Sequence, residues 1–190
     1  MISERKKEII TIAAKLFKEK GYNAVSMRDL AQELGIKAAS LYNHISSKQE
    51  ILAIIILEVA ESFTQHMQKT FPKNISVRQK LEEIIHMHIE ITIQKTNYLA
   101  CLNNDWMHLD EKNLAYYIEM RNGYEKQLRK IISEGIENGE LEKRDEEIIL
   151  FSLLSTLRTL YLWYSKKPSL KIELLKRDLT NTLLSGVIKA

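Results

Sequence analysis

Apolar residues along this chain return every three or four positions and almost nowhere alternate, the period of amphipathic helices and not of half-buried strands. A first helix is predicted after Ser3, a fitting N-cap, with Ile9, Ile10, Ala13, Leu16 and Phe17 on one stripe and Gly21 closing it. Ser26 and Asp29 have the spacing of a capping box and open a second, two-turn helix carrying Leu30, Ala31 and Leu34. Gly35 and Ile36 then make a tight turn before a third short helix over 37–43, with Leu41 as its apolar anchor. Ser47 and Glu50 repeat the capping-box spacing and start a fourth helix through Ile51, Ile54, Ile55, Val59 and Phe63 towards Met67, with Pro72 at or after its end. Further helices are predicted over about 77–95, 98–108 and 111–137, followed by a turn at Asn138-Gly139. Two more, over about 146–165 and 172–188, are separated by Lys166, Lys167 and Pro168. The expected fold is therefore all-α, with a three-helix helix-turn-helix unit at the front and a larger helical body behind it.

Two prolines and six glycines in 190 residues leave little room for long irregular connections. The densest apolar stretch, 51–57, is far shorter than the roughly 20 residues a membrane-spanning helix needs, and no apolar leader block opens the chain. A cytoplasmic protein with no membrane partner is the expectation. Cys101 is the one cysteine, so an internal disulfide framework is excluded. The net charge of +3 is unevenly placed: residues 1–50 hold nine Lys/Arg against six Asp/Glu, while residues 51–190 hold nineteen of each. The whole excess sits in the first quarter, which suits a segment facing a polyanion, although a solvated surface carries such an excess too.

Enzyme chemistry finds little support in the residues. Cys101 has no histidine at a telling spacing, and neither a glycine-rich phosphate loop nor a Gly-x-Ser-x-Gly elbow is present. His86 and His88, two apart, point to different helix faces, which argues against a shared metal. His108 with Asp105 and Glu111 is the best metal-like constellation, but a capped helix boundary explains the two acids equally well. No enzyme activity, metal or cofactor is expected.

The segment from Ala24 to Leu52, AVSMRDLAQELGIKAASLYNHISSKQEIL, resembles the DNA-binding head of the TetR family of bacterial transcriptional regulators. The matching positions are Ser26, Leu30-Ala31, Gly35, Ala39, Leu41-Tyr42, His44 and Ser47-Lys48. Where the family usually has an aromatic after the histidine, this chain has Ile45, which would loosen the packing beneath the head without abolishing binding. The resemblance implies a helix-turn-helix DNA-binding domain over 1–47 and a ligand-binding and dimerisation domain over 48–190. A recognition helix reads base edges in the major groove while phosphate contacts set its register. Lys37, Ala38 and Tyr42 are the base-reading candidates: a guanine or phosphate donor, a surface for a thymine methyl, and a hydroxyl on a flat apolar ring. Ser26, Arg28, Tyr42, His44 and Lys48 form the implied phosphate clamp, with Arg28 also able to reach a base. Each alone would pass for a solvated surface residue; the combination at this spacing carries the reading. A helical adaptor whose front end binds protein is the alternative from another class.

The last two predicted helices hold more apolar surface than one inner face accommodates, from Ile148, Phe151 and Leu157 through Trp163 to Leu174 and Leu184, so a homodimer packed through residues 146–188 is expected. The segment 105–141 is similar to the sensor bodies of TetR-like regulators of lipid catabolism, several responsive to acyl-CoA, in Trp106, His108-Leu109, Arg121, Tyr124, Ile132, Gly135 and Gly139. A small hydrophobic effector, a fatty acid or fatty acyl-CoA, is what that resemblance implies, with a hydrophobic drug or other metabolite as the alternative. Met87, Ile91, Trp106, Met107, Tyr117, Met120, Tyr124, Leu157 and Tyr161 are candidates to line an apolar tunnel, and Arg121 and Arg158 to meet a CoA phosphate. Methionine and aromatic stripes at helical spacing also build ordinary cores, and Arg121 has Glu125 one turn away as a simple ion-pair partner.

Overall fold

A computed structural model describes residues 3–167 and 169–188. Pro168, expected to break the last two helices apart, lies outside the described residues. Among these, nine α-helices and one 3-10 turn account for the regular structure: α1 Glu4–Lys20, α2 Met27–Glu33, α3 Ala38–Tyr42, α4 Lys48–Thr70, α5 Val77–Gln94, α6 Thr96–Asp105, the 3-10 turn Trp106–His108, α7 Glu111–Glu137, α8 Glu146–Tyr164 and α9 Ile172–Leu184. The fold is all-helical, as the apolar period predicts.

Helix ends follow the side chains that satisfy them. Ser3 accepts from the Lys6 amide at 3.3 Å, and Gly21, at φ +84°, turns the chain off α1 while its N–H donates to the Phe17 carbonyl at 2.8 Å. Three expectations are corrected. The helix expected over 98–108 stops at Asp105, whose φ of −121° leaves the α region, and continues as the 3-10 turn. The last helix ends at Leu184 instead of 188, because the end of the chain pairs with the segment after Gly139. The Glu142 N–H donates to the Val187 carbonyl at 2.8 Å and Leu141 forms an isolated antiparallel bridge with Ile188, giving both segments backbone partners. At α4, Ser47 Oγ accepts from the Glu50 amide at 3.0 Å, but the Glu50 carboxylate turns to the Ser46 amide at 2.7 Å, so the box closes one residue early.

The chain packs as two compact units, one from residues up to Ala60 together with Lys95–Ile118, the other from Glu61–Gln94 together with residues from Glu119 onward. In the first, α1 packs on α2 and α6, and Ile9, Phe17, Leu30, Leu41, Ile45, Ile51 and Ile55 are fully buried. Ile45, standing where the resembled family usually has an aromatic, is itself buried at 1% exposure. In the second, α5, α7, α8 and α9 share one apolar core that includes Ile84, Ile89, Leu128, Ile131, Leu153 and Leu157. No described helix is long and apolar enough to cross a membrane.

Candidate functional site

The helix-turn-helix is built from its caps inward. Ser26 Oγ accepts from the Asp29 amide at 3.2 Å and the Asp29 carboxylate accepts from the Ser26 amide at 2.7 Å, completing the predicted box. The Ser26 hydroxyl, which donates to the same carboxylate at 2.6 Å, and then the Ser26 amide hold the Asp29 carboxyl below the ordinary range. Gly35 at φ +66° makes the turn, a backbone state that a side chain disfavours, and the Ile36 N–H donates to the Ala31 carbonyl at 3.0 Å. The following helix, α3, has Leu41 as its buried residue at 0% exposure. Its other faces are left to solvent: Lys37 and His44 are exposed, Ala38 is half-buried, and Tyr42 keeps 53% of its surface accessible. Ser26 and Arg28, at the start of α2, are exposed as well. Ser40, which the sequence reading passed over, is exposed three residues beyond Lys37, the spacing that shares one helix face. The helical period alone would have found it.

Lys48 has a different setting from the other clamp candidates. Its ammonium donates to the Tyr22 and Val25 carbonyls at 2.9 and 2.8 Å and lies 4.2 Å from the Tyr22 ring centroid, which binds the loop before α2 to the start of α4. Desolvation there lowers its pKa. Two of its three donors are engaged inside the protein, leaving one for a phosphate.

The 3-10 turn joins the same unit. The Tyr22 hydroxyl donates to Gln49 Oε1 at 2.6 Å, Gln49 Nε2 donates to the His108 carbonyl, and the His108 ring stacks on Tyr22 with centroids 5.4 Å apart. His108 Nε2 lies 3.3 Å from Asn23 Nδ2. Of the constellation His108, Asp105 and Glu111, His108 docks the turn and Glu111 is exposed; among the described residues no group of three His, Cys, Asp or Glu side chains is placed to hold a metal. Burial pushes the Cys101 thiol up to about 12, and a thiol held protonated is a poor nucleophile.

The effector candidates divide between the two units. In the first, Tyr117 is buried and its ring lies 5.8 Å from that of the half-buried Trp106. Met107, expected to line a tunnel, is instead 58% exposed, in the middle of the 3-10 turn that replaces the expected continuation of α6. In the second, Ile91, Met120, Leu157 and Tyr161 are buried, and Met87, Arg121 and Tyr124 are half-buried. Glu125, suggested as the partner of Arg121, pairs with Arg158 across from α7 to α8.

The sequence reading used His88 only to argue against a metal and so missed its place. His88 Nε2 is 2.9 Å from the Tyr124 hydroxyl, and Phe63 stacks on the imidazole with centroids 4.3 Å apart. Burial, with smaller effects from Arg158 and His66, lowers the His88 pKa to about 3, so the ring is neutral. Burial likewise raises the Tyr124 hydroxyl above its ordinary value. The usable signal was positional: His88 falls on the stripe of Leu81, Ile84, Ile85 and Ile91, a polar ring where the period asks for an apolar one.

The outer face of α8 and α9 is strongly apolar. Phe151 is 71% exposed, and Ile148, Leu162, Trp163, Ile172 and Leu174 are also exposed. A groove of about 730 Å³ runs there between Thr159, Trp163, Leu170, Leu174 and Thr182.

Comparison with known proteins matches these parts in order. Residues 9–55 match the family described as bacterial regulatory proteins of the tetR family, and residues 74–187 match the tetracyclin repressor-like C-terminal domain. The solved structure of the ketosteroid transcriptional regulator KstR2 of Mycobacterium tuberculosis superposes with a TM-score of 0.92 at 19% identity, over 100% of this chain and 98% of that one. The crystal structure of AibR in complex with isovaleryl coenzyme A and operator DNA gives a TM-score of 0.79 at 20% identity, over 94% and 97%. The fatty acid metabolism regulator protein of Bacillus subtilis is 24% identical over 183 residues, which are 95% of this chain and 94% of that protein. With both halves matched, the chain belongs to the TetR family of bacterial regulators.

Proposed function

We propose that this regulator is a homodimeric repressor that binds a palindromic operator through α2 and α3 and leaves it when a small hydrophobic effector, a fatty acid or fatty acyl-CoA, enters the body. The observation that carries the DNA reading is the exposed face of α3: one apolar anchor holds the helix, and Lys37, Ser40, Tyr42 and His44 are left to solvent. Lys37, Ala38 and Tyr42 read bases, while Ser26, Arg28, His44 and the remaining donor of Lys48 hold phosphates. The functional division follows the resemblance, with a DNA-reading head over 1–47 and a ligand-binding and dimerisation body over 48–190.

The apolar face of α8 and α9 supports the dimer. Six large side chains left in water on two adjacent helices are what an isologous four-helix interface would bury. The effector class is supported by the likeness to a fatty acid metabolism regulator and to a regulator crystallised with isovaleryl coenzyme A, together with the buried apolar side chains of Ile91, Met120, Leu157 and Tyr161. Release follows from linkage: an effector that prefers the DNA-free arrangement lowers operator affinity by the factor by which operator lowers its own. Helix α4 begins in the first unit and ends in the second, and is the lever of this proposal.

The test is fluorescence polarisation on a duplex selected from a random-sequence pool. Lys37→Ala and Tyr42→Ala should each weaken binding by roughly fivefold to a hundredfold, the worth of about 1–3 kcal/mol per base contact, and Lys37→Ala should flatten the salt dependence. Palmitoyl-CoA should release the wild-type protein. Affinity indifferent to both substitutions and to salt would point to the adaptor reading.

A further inference from the structure

Lys48 carries a constraint that the other phosphate candidates lack. Its ammonium donates to the Tyr22 and Val25 carbonyls at 2.9 and 2.8 Å and lies 4.2 Å from the centroid of the Tyr22 ring. An ammonium on a four-carbon stem ordinarily samples many rotamers, but two fixed acceptors and a ring leave its third N–H one direction. Where that N–H points is therefore set by where Tyr22 sits. Tyr22 is in turn gripped by segments outside α2 and α3, all within the first unit. Phe17 of α1 meets its ring edge-on with centroids 5.1 Å apart, and His108 of the 3-10 turn stacks on it at 5.4 Å. Gln49 closes the circuit: its Oε1 accepts from the Tyr22 hydroxyl at 2.6 Å and its Nε2 donates to the His108 carbonyl. Packing alone does not ask for this arrangement. An imidazole left half-buried gains little from burial, and Gln49 spends both ends of its amide on one link between Tyr22 and the turn.

We propose that His108 and Gln49 are positioning residues for operator binding: by fixing Tyr22 they aim the remaining Lys48 donor at a DNA phosphate. The inference rests on the reading of α2 and α3 as the DNA-binding surface and extends it. The part of the chain that sets a DNA contact then reaches beyond residue 47 to the turn at 106–108. A donor aimed before DNA arrives loses less freedom on binding than one that the phosphate itself must order. Neither His108 nor Gln49 meets the phosphate; both act through Tyr22 and Lys48.

The experiment is fluorescence polarisation of the full chain on the selected duplex across a range of salt concentrations, with circular dichroism melts to verify folding. Lys48→Met should make the plot of log affinity against log salt shallower by about one unit per protomer, the signature of one lost phosphate contact. His108→Ala should weaken binding roughly tenfold, the worth of one charged hydrogen bond, and lose most of the same slope. His108→Phe, which keeps a stacked ring, should restore both. Lys48→Met combined with His108→Ala should bind no more weakly than Lys48→Met alone, because the two changes remove one contact. Gln49→Met, which removes both amide links, repeats the test if His108→Ala does not fold. A merely structural turn would lower the melting temperature and leave the slope at its wild-type value. That result, or additive losses in the double variant, would overturn the positioning role. So would an unchanged slope in Lys48→Met, since Lys48 would then meet no phosphate. Absence of salt-dependent duplex binding by the wild-type protein would overturn the DNA reading and this inference with it.

Discussion

Glu50 ties three segments of the first unit together: its carboxylate accepts from Lys6 Nζ at 2.6 Å and from the Ser46 amide at 2.7 Å. Burial opposes its ionisation, but the hydrogen bonds from Lys6 and Ser46 outweigh it and hold the pKa at about 2 against an ordinary 4.5. Because the folded value is the lower one, Glu50 contributes stability above about 4.5 and loses it as the pH falls towards about 2. Glu50→Gln should therefore lower the melting temperature at neutral pH by an amount corresponding to about 1 kcal/mol, a figure reduced for the partial exposure of the pair. Thermal melts of the two proteins should converge at acid pH; a constant gap would show that the carboxylate charge is not the cause. The spacing of Ser47 and Glu50 announced a helix start in the sequence, but not that the carboxylate would reach past Ser47 to Ser46 and Lys6. That required α1 to lie alongside, 44 residues away in the chain.

Helices are where the sequence was most legible. The start of α7 at Glu111, its end at Glu137 and the turn at Gly139 follow from periodicity and turn chemistry, whereas the break at Asp105 and the early end of α9 follow from backbone pairing and docking that no local pattern encodes. Gly135, inside α7, belongs to the second kind. A Cβ there would meet the Leu141 and Val77 side chains at 2.7 Å, so the glycine permits a close approach both of the turn that follows α7 and of the start of α5, far away in the sequence. Gly135→Ala relieves a helix-interior glycine yet should destabilise by about 1–3 kcal/mol through overpacking, while Gly123→Ala, with open space at its Cβ, should stabilise slightly. Denaturant melts of the pair check the contrast, and equal shifts in both variants would refute it.

For the whole molecule, the exposed apolar face of α8 and α9 is the feature a single chain leaves unresolved. Phe151→Asp places a charge at its most exposed ring and should give a monomer by light scattering. Its operator affinity should fall at least tenfold, since the second half-site is lost. A dimer of unchanged stability would move the interface elsewhere. The sequence surplus of apolar residues over one inner face predicted such a surface, but which of them are buried was decided by packing: Leu153, Leu157 and Leu160 turn inward while Ile148, Phe151 and Trp163 turn out.

What the sequence determined by itself is what short-range physics governs: helical periods, caps, the glycine turn and the short α3 that follows it, each set by neighbours within a few positions. Tertiary structure alone decided which polar groups find partners across the chain. Lys48 is drawn to two carbonyls, His108 to Tyr22 and Gln49, and His88 to Tyr124, because a desolvated polar group must be paired and its partner is chosen by proximity in space and not along the chain.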